Sequence, residues 1–186
     1  MKYYIVALFD KDSYEILSPL QKKYTKKYRA NRHSPIPHIT LNIIEASNID
    51  RIVPIIEKVL SPYKKFKVEY SDNISISEHL RTLNLKINNR GYIKKIYKAL
   101  TDDFEINNIT VKYAPKNDIG VSLATINHFN KDKRNESEVA TDCEDSNNTL
   151  KIDRIELWKI PQNKKEICPL KLRWTFFFHS RLWILI

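Results

Sequence analysis

Two short stretches decide how this chain reads: "PHITL" at Pro37–Leu41 and "IGVSL" at Ile119–Leu123. In the first, the two-residue period of an extended strand puts His38 and Thr40 on one face, about 7 Å apart, and turns Ile39 and Leu41 to the other. The second repeats the pattern about eighty residues later, with Gly-Val-Ser-Leu standing against His-Ile-Thr-Leu. An imidazole beside a hydroxyl on one strand face can serve a single phosphate. The hydroxyl donates a hydrogen bond to a phosphoryl oxygen, and the imidazole carries a proton to or from the attacking or leaving oxygen. His-x-Thr alone is a common tripeptide; its duplication, one copy in each half of the chain, singles it out.

Around these stretches the pattern alternates between strand and helix. "KYYIVALF" is a nearly continuous apolar run and reads as a strand. In "SYEILSPLQKKYTKKY", Tyr14, Ile16, Leu17, Leu20, Tyr24 and Tyr28 recur at helical spacing, which predicts an amphipathic helix with Pro19 tolerated only near its first turn. The prolines of "HSPIP" force extended or turning backbone before the first motif strand. A helix is expected within Asn48–Lys65, with Ser47 as its N-cap, and another over Tyr92–Phe104. Further strands are read in "FKVEYSD", "LRTLNLKIN", "ITVKYAP", "IGVSLATI", "KIDRIELWKI" and "LKLRWTFFF". This order predicts an α+β architecture of two small lobes, with helices packed on mainly antiparallel sheets.

At 186 residues and 42% hydrophobic content the chain can bury a sizeable core as one domain or one bilobed unit. The polar run Asn130–Asn148 reads as an insertion, exposed and poorly ordered. A net charge of +10 favours an anionic partner such as RNA, a nucleotide or a phosphorylated metabolite. Cys143 and Cys168 lack metal-ligand or redox spacing, so neither a zinc site nor a disulfide framework is expected, and a reducing cytoplasm fits. The opening apolar run breaks at Asp10 and the terminal "RLWILI" is six residues long; neither reads as a membrane span.

The duplicated motif, with its opening strand and proline-rich approach, resembles the 2H phosphoesterase family, which includes the 2′-5′ RNA ligase-like proteins and RNA 2′,3′-cyclic phosphodiesterases. The resemblance implies two pseudo-symmetric lobes with both motifs lining a central groove. It also implies a pair of histidines acting as general base and general acid, hydroxyls anchoring the phosphate, and no metal or other cofactor. Carried over by position, His38 is the first catalytic histidine, Thr40 the first anchor and Ser122 the second, while Gly120 holds the place of the second histidine. The implied substrate is a 2′,3′-cyclic phosphate or 2′-5′ phosphodiester in RNA or a small nucleotide. The alternative is a catalytically degenerate module that only binds nucleotide or RNA.

Glycine has no proton to give, and losing one of two acid–base groups costs roughly 10²- to 10⁴-fold in rate. Provided the groove is otherwise intact, a histidine returned at position 120 is therefore expected to raise activity. Asp118 shares the strand parity of Gly120 and is a candidate substitute proton carrier; His33, in the proline loop, is another titratable group near the motif. Arg29, Arg32, Lys112 and Tyr113 lie near the motif strands in sequence and are candidates for holding phosphate or stacking on a base. The expected partner is an RNA end or small nucleotide and not a membrane, and the protein is expected to be a cytoplasmic monomer.

Overall fold

In the computed structural model, residues 1–32, 34–88, 91–115, 119–126, 148–160 and 173–177 are described, residues 160 and 173–177 as backbone only. The elements run β1 (Lys2–Phe9), α1 (Lys11–Lys27), β2 (Ile39–Glu45), α2 (Val53–Leu60), β3 (Phe66–Ser77), β4 (Thr82–Ile87), α3 (Gly91–Ile106), β5 (Thr110–Tyr113), β6 (Gly120–Thr125), β7 (Thr149–Ile160) and β8 (Arg173–Phe177). His33, Lys116, Asp118, His128, His179, both cysteines, the terminal hexapeptide and the 130–148 segment apart from Asn148 lie outside the described residues.

The predicted α+β class is found. Among the described residues all strand pairings are antiparallel, in the order β5-β2-β1-β7-β3-β4-β6, with β8 beside β7. The long strand β3 joins the two halves. Phe66–Glu69 pair with β7, whereas Tyr70 and Ile74–Ser77 pair with β4 after a break in register. The path then returns on itself, because His38, just ahead of β2, forms a β-bridge with Ser122 of β6. That closure brings together two motifs far apart in sequence.

Residues alternate across the sheet as the sequence predicts. Tyr3, Ile5, Ala7 and Phe9 of β1, Ile39 and Leu41 of β2, and Ile155 and Leu157 of β7 enter the main core with the buried faces of the helices. Val6 and Leu8 face the other way and pack with Trp158, which explains why β1 reads as apolar on both faces. Helix α1 approaches β6 and β7, whereas α3 covers β2 and β5 and packs against α2.

Two helix boundaries depart from expectation. α1 begins at Lys11, because the Asp10 side chain accepts a hydrogen bond from Ser13 N (3.0 Å) and caps the first turn. Pro19 therefore sits in the helix interior, and Ile16 is exposed instead of buried. Ser47 caps nothing: Asn48 Oδ1 accepts from Asp50 N in a local turn, Ile49 O accepts from Ile52 N and Val53 N, and α2 starts only at Val53 with Pro54 in its first turn. It stops at Leu60, before Ser61-Pro62, and does not reach Lys65.

Candidate functional site

Prolines at 35 and 37 remove two backbone donors from the segment entering β2, yet leave its carbonyls needing partners. Helix α1 supplies them: Gln21 Nε2 donates to Pro35 O (3.1 Å) and Tyr14 OH to Pro37 O (3.1 Å). Tyr14 and Gln21 are seven residues apart, two turns along one helix face. Between them, Ile36 O lies 2.8 Å from His38 Nδ1. A carbonyl can only accept, so Nδ1 carries the proton and Nε2 of the neutral ring presents its lone pair. The His38 ring packs against Trp158 at a centroid distance of 4.8 Å and is only 7% exposed. Burial lowers its pKa from 6.5 to about 4, against an opposing upward pull from the Ile36 hydrogen bond. At neutral pH the ring is an uncharged proton acceptor.

The second motif lies beside the first. His38 N donates to Ser122 O (3.3 Å) and Ser122 N to His38 O (2.7 Å). Directly opposed residues of an antiparallel pair show their side chains on the same face, so the imidazole and the Ser122 hydroxyl belong to one surface. Ser122 Oγ donates to Asn84 Oδ1 (3.1 Å), which also accepts from Thr82 Oγ1 (2.9 Å). The single hydroxyl proton of Ser122 is thus committed to Asn84, and an incoming phosphate must displace that bond to receive it. Thr40, opposite Val6, is also buried, but among the described residues its hydroxyl takes no hydrogen-bond partner, so it is the readier donor.

A third strand completes the surface with residues the motif pattern did not reveal. Val6 pairs with Glu156, Tyr4 with Trp158 and Leu8 with Arg154, which places Arg154, Glu156 and Trp158 on the face of β7 shared with Thr40. Glu156 is buried with both carboxylate oxygens engaged. Oε1 accepts from Arg154 Nε (3.0 Å) and Oε2 from Trp158 Nε1 (2.7 Å), and the second bond fixes the indole that packs on His38. The signal was the alternation of Arg154, Glu156 and Trp158 against Ile155 and Leu157.

Gly120 corrects the expectation attached to it. Its φ is not positive, so its backbone conformation does not demand glycine. Space does: a Cβ here would lie 2.8 Å from Leu85 O and 2.9 Å from Asn84 Cβ, where ordinary contact begins near 3.4 Å. Two of the three close atoms belong to the backbone of β4, which pairs with β6 and cannot swing aside. A histidine at 120 has no room in this packing, and the expected gain from returning one does not follow.

The other candidates disperse. Arg29 and Arg32 line a separate cavity along α1. Lys112 Nζ is paired with Glu45 Oε2 at 3.1 Å, where the β2–β5 ladder ends. The Tyr113 ring, offered as a stacking platform, is already stacked on His79, with centroids 5.1 Å apart and planes 14° from parallel. Among the described residues, no group of three or more His, Cys, Asp or Glu side chains converges as a metal site. No described helix is long and apolar enough to cross a membrane.

The closed antiparallel path, with its helices and the motif strands joined at His38 and Ser122, makes a LigT-like α+β fold. Among solved structures, the chain is similar to E. coli LigT in complex with 3′-AMP, at 13% identity over 94% of this chain and 97% of that one, with a TM-score of 0.56. It is similar to the same protein in apo form (12% identity, 94% and 96%, TM-score 0.58) and to Kluyveromyces marxianus Usb1 (13%, 95% and 97%, TM-score 0.57). No protein-family model and no curated protein matches the sequence.

Proposed function

We propose that this chain is a 2H phosphoesterase-like protein acting on a 2′,3′-cyclic phosphate or 2′-5′ phosphodiester of RNA or a small nucleotide, with His38 as its one motif imidazole. The observation that carries this reading is the backbone bridge that seats His38 beside Ser122, with the Nε2 lone pair of the ring unprotonated. His38 is the general base toward the attacking oxygen, Thr40 donates to a phosphoryl oxygen, and Ser122 joins it when its hydroxyl leaves Asn84. Such acid–base chemistry requires no metal. Structures of LigT with 3′-AMP and of Usb1 with uridine monophosphate support a nucleotide as ligand of this fold. Their coverage of 94–95% of the chain supports reading it as one bilobed domain.

The packing around Gly120 favours a second reading: a module that holds the nucleotide without turning it over. Incubation with a 2′,3′-cyclic nucleotide in the presence of a chelator, for the unaltered chain and for His38→Ala, separates the two. Turnover that falls roughly 10²- to 10⁴-fold in the variant supports the enzyme; saturable binding without turnover supports the module. Turnover unchanged by His38→Ala removes the role given to this residue.

A further inference from the structure

We propose that the cavity beside the C-terminal half of α1 is a second phosphate-binding site, built for the backbone of a single-stranded nucleic acid whose end occupies the His38 site. This deepens the reading above and takes its nucleic acid from it. The cavity has a volume of about 700 Å³ and is lined by Lys22, Lys26, Arg29 and Arg32, together with Gln21, Thr25 and Ser34, and no acidic side chain is among its described lining residues. Four cations around one cavity repel one another unless an anion sits among them. Among the described residues none of the four forms an ion pair, whereas Lys58, Lys65, Lys112, Lys151 and Arg154 each meet a carboxylate. Attraction of cations to the negative end of the helix does not account for the set. That effect fades beyond the last turn, which already holds Lys26 and Lys27; Lys22 lies a turn earlier and Arg32 lies past the end.

The backbone supplies an independent sign. The bonds Ala30 N to Thr25 O (3.0 Å) and Arg29 N to Lys26 O (3.3 Å) make a Schellman turn in which Arg29, at φ 49°, occupies the left-handed position that glycine or asparagine usually takes. A large cationic side chain stands where the backbone favours a small residue, and it lines the cavity. The cavity is also tied to the motif strands. Gln21, on its wall, donates to Leu123 O (2.7 Å), one residue from Ser122. Thr125 N donates to Ser34 Oγ (2.9 Å), and Asn31 N to Thr125 O (2.8 Å). Ser34 precedes His38 by four residues, at most about 14 Å of extended chain, so one strand can reach both places.

The test is fluorescence anisotropy of a labelled ten-nucleotide oligouridylate ending in a 2′,3′-cyclic phosphate, with unlabelled 2′,3′-cyclic UMP and inorganic tripolyphosphate as competitors, across a salt series. K22A/K26A and R29A/R32A are each expected to weaken oligomer binding and to lower the slope of log affinity against log salt by about 1.4, at about 0.7 per phosphate contact on a single strand. Cyclic UMP affinity should hold in both. K94A/K98A removes the same charge from exposed positions on α3 and should change neither. Arg29→Gly, which relaxes the backbone, should still lose about 0.7 of the slope.

The proposal falls if the cavity pairs behave like K94A/K98A, or if cyclic UMP loses affinity in step with the oligomer. It also falls if tripolyphosphate matches the oligomer in affinity and in its response to the variants, since a free polyphosphate is then the occupant. A cavity without effect, in a chain that binds cyclic UMP, sinks this inference and spares the reading of the His38 site. Oligomer binding that depends on the four cations, in a chain that ignores cyclic UMP, does the reverse.

Discussion

The starts of β2 and β6 show how one strand pattern can be put to two uses. His38 precedes the β1–β2 ladder: Val6 pairs with Thr40 and Ala7 with Ile39, and among the described residues the only β-pairing of His38 is the bridge to Ser122. Its ring has the space beside Trp158. Gly120 instead lies within a ladder, opposite Lys86, with Leu85 O where a Cβ would go. The two motifs therefore differ in packing as well as in chemistry. A residue type can be exchanged by one codon; the proximity of two backbones cannot.

The largest expected effect tests the protected state of the first motif. A histidine neutral when folded, at a pKa of about 4, and titrating near 6.5 when unfolded contributes stability that is fully present above pH 6.5 and is lost as pH falls toward 4. The unfolded chain binds the extra proton throughout that window, so unfolding free energy should decline by up to about 3 kcal/mol across it. Urea titrations over that range should show the decline in the unaltered chain and a smaller one in His38→Gln. Equal declines would show that the ring is not held neutral.

Next comes the second motif. Gly120→Ala should cost about 1–3 kcal/mol by overpacking against β4, and Gly120→His at least as much, with no gain in turnover. A stable Gly120→His variant with higher activity would break the comparison. Asn84→Ala leaves the hydroxyls of Thr82 and Ser122 without their shared acceptor and should cost about 1–3 kcal/mol in chemical denaturation. Little or no loss would mean that water replaces the carboxamide and that Ser122 is free to serve a ligand. The smallest effect lies away from both motifs: Arg29→Gly should stabilise by about 0.5–1 kcal/mol, raising Tm by up to about 4 °C, because glycine takes the left-handed backbone without strain.

Much of the fold was legible because its signals are local. The alternation of His38 and Thr40 against Ile39 and Leu41, and the helical spacing of Ile93, Ile96, Tyr97 and Leu100, depend only on neighbours in the chain. Helix starts were less legible: Asp10 caps α1, whereas α2 begins without a side-chain cap, after a local turn closed by Asn48. The site was half legible. The motif marked His38, Thr40 and Ser122, but the reason for Gly120 is a carbonyl on β4, thirty-five residues earlier in sequence. Arg154, Glu156 and Trp158 resemble the wet side of a strand until β1 is laid beside them. Arg29 and Arg32 were near the motif in sequence, but the end of α1 carries them to a different wall.

The bridge between His38 and Ser122 also gives this ring of strands a seam. Two amide hydrogens, one from each residue, hold it shut at this point, while Val121 next door is held in the β4 ladder. Deuterium uptake at the amides of 38 and 122, set against that at 121, would therefore time the parting of the seam separately from the fraying of the strand. A nucleotide that slowed the first pair and left the third alone would be felt at the seam itself.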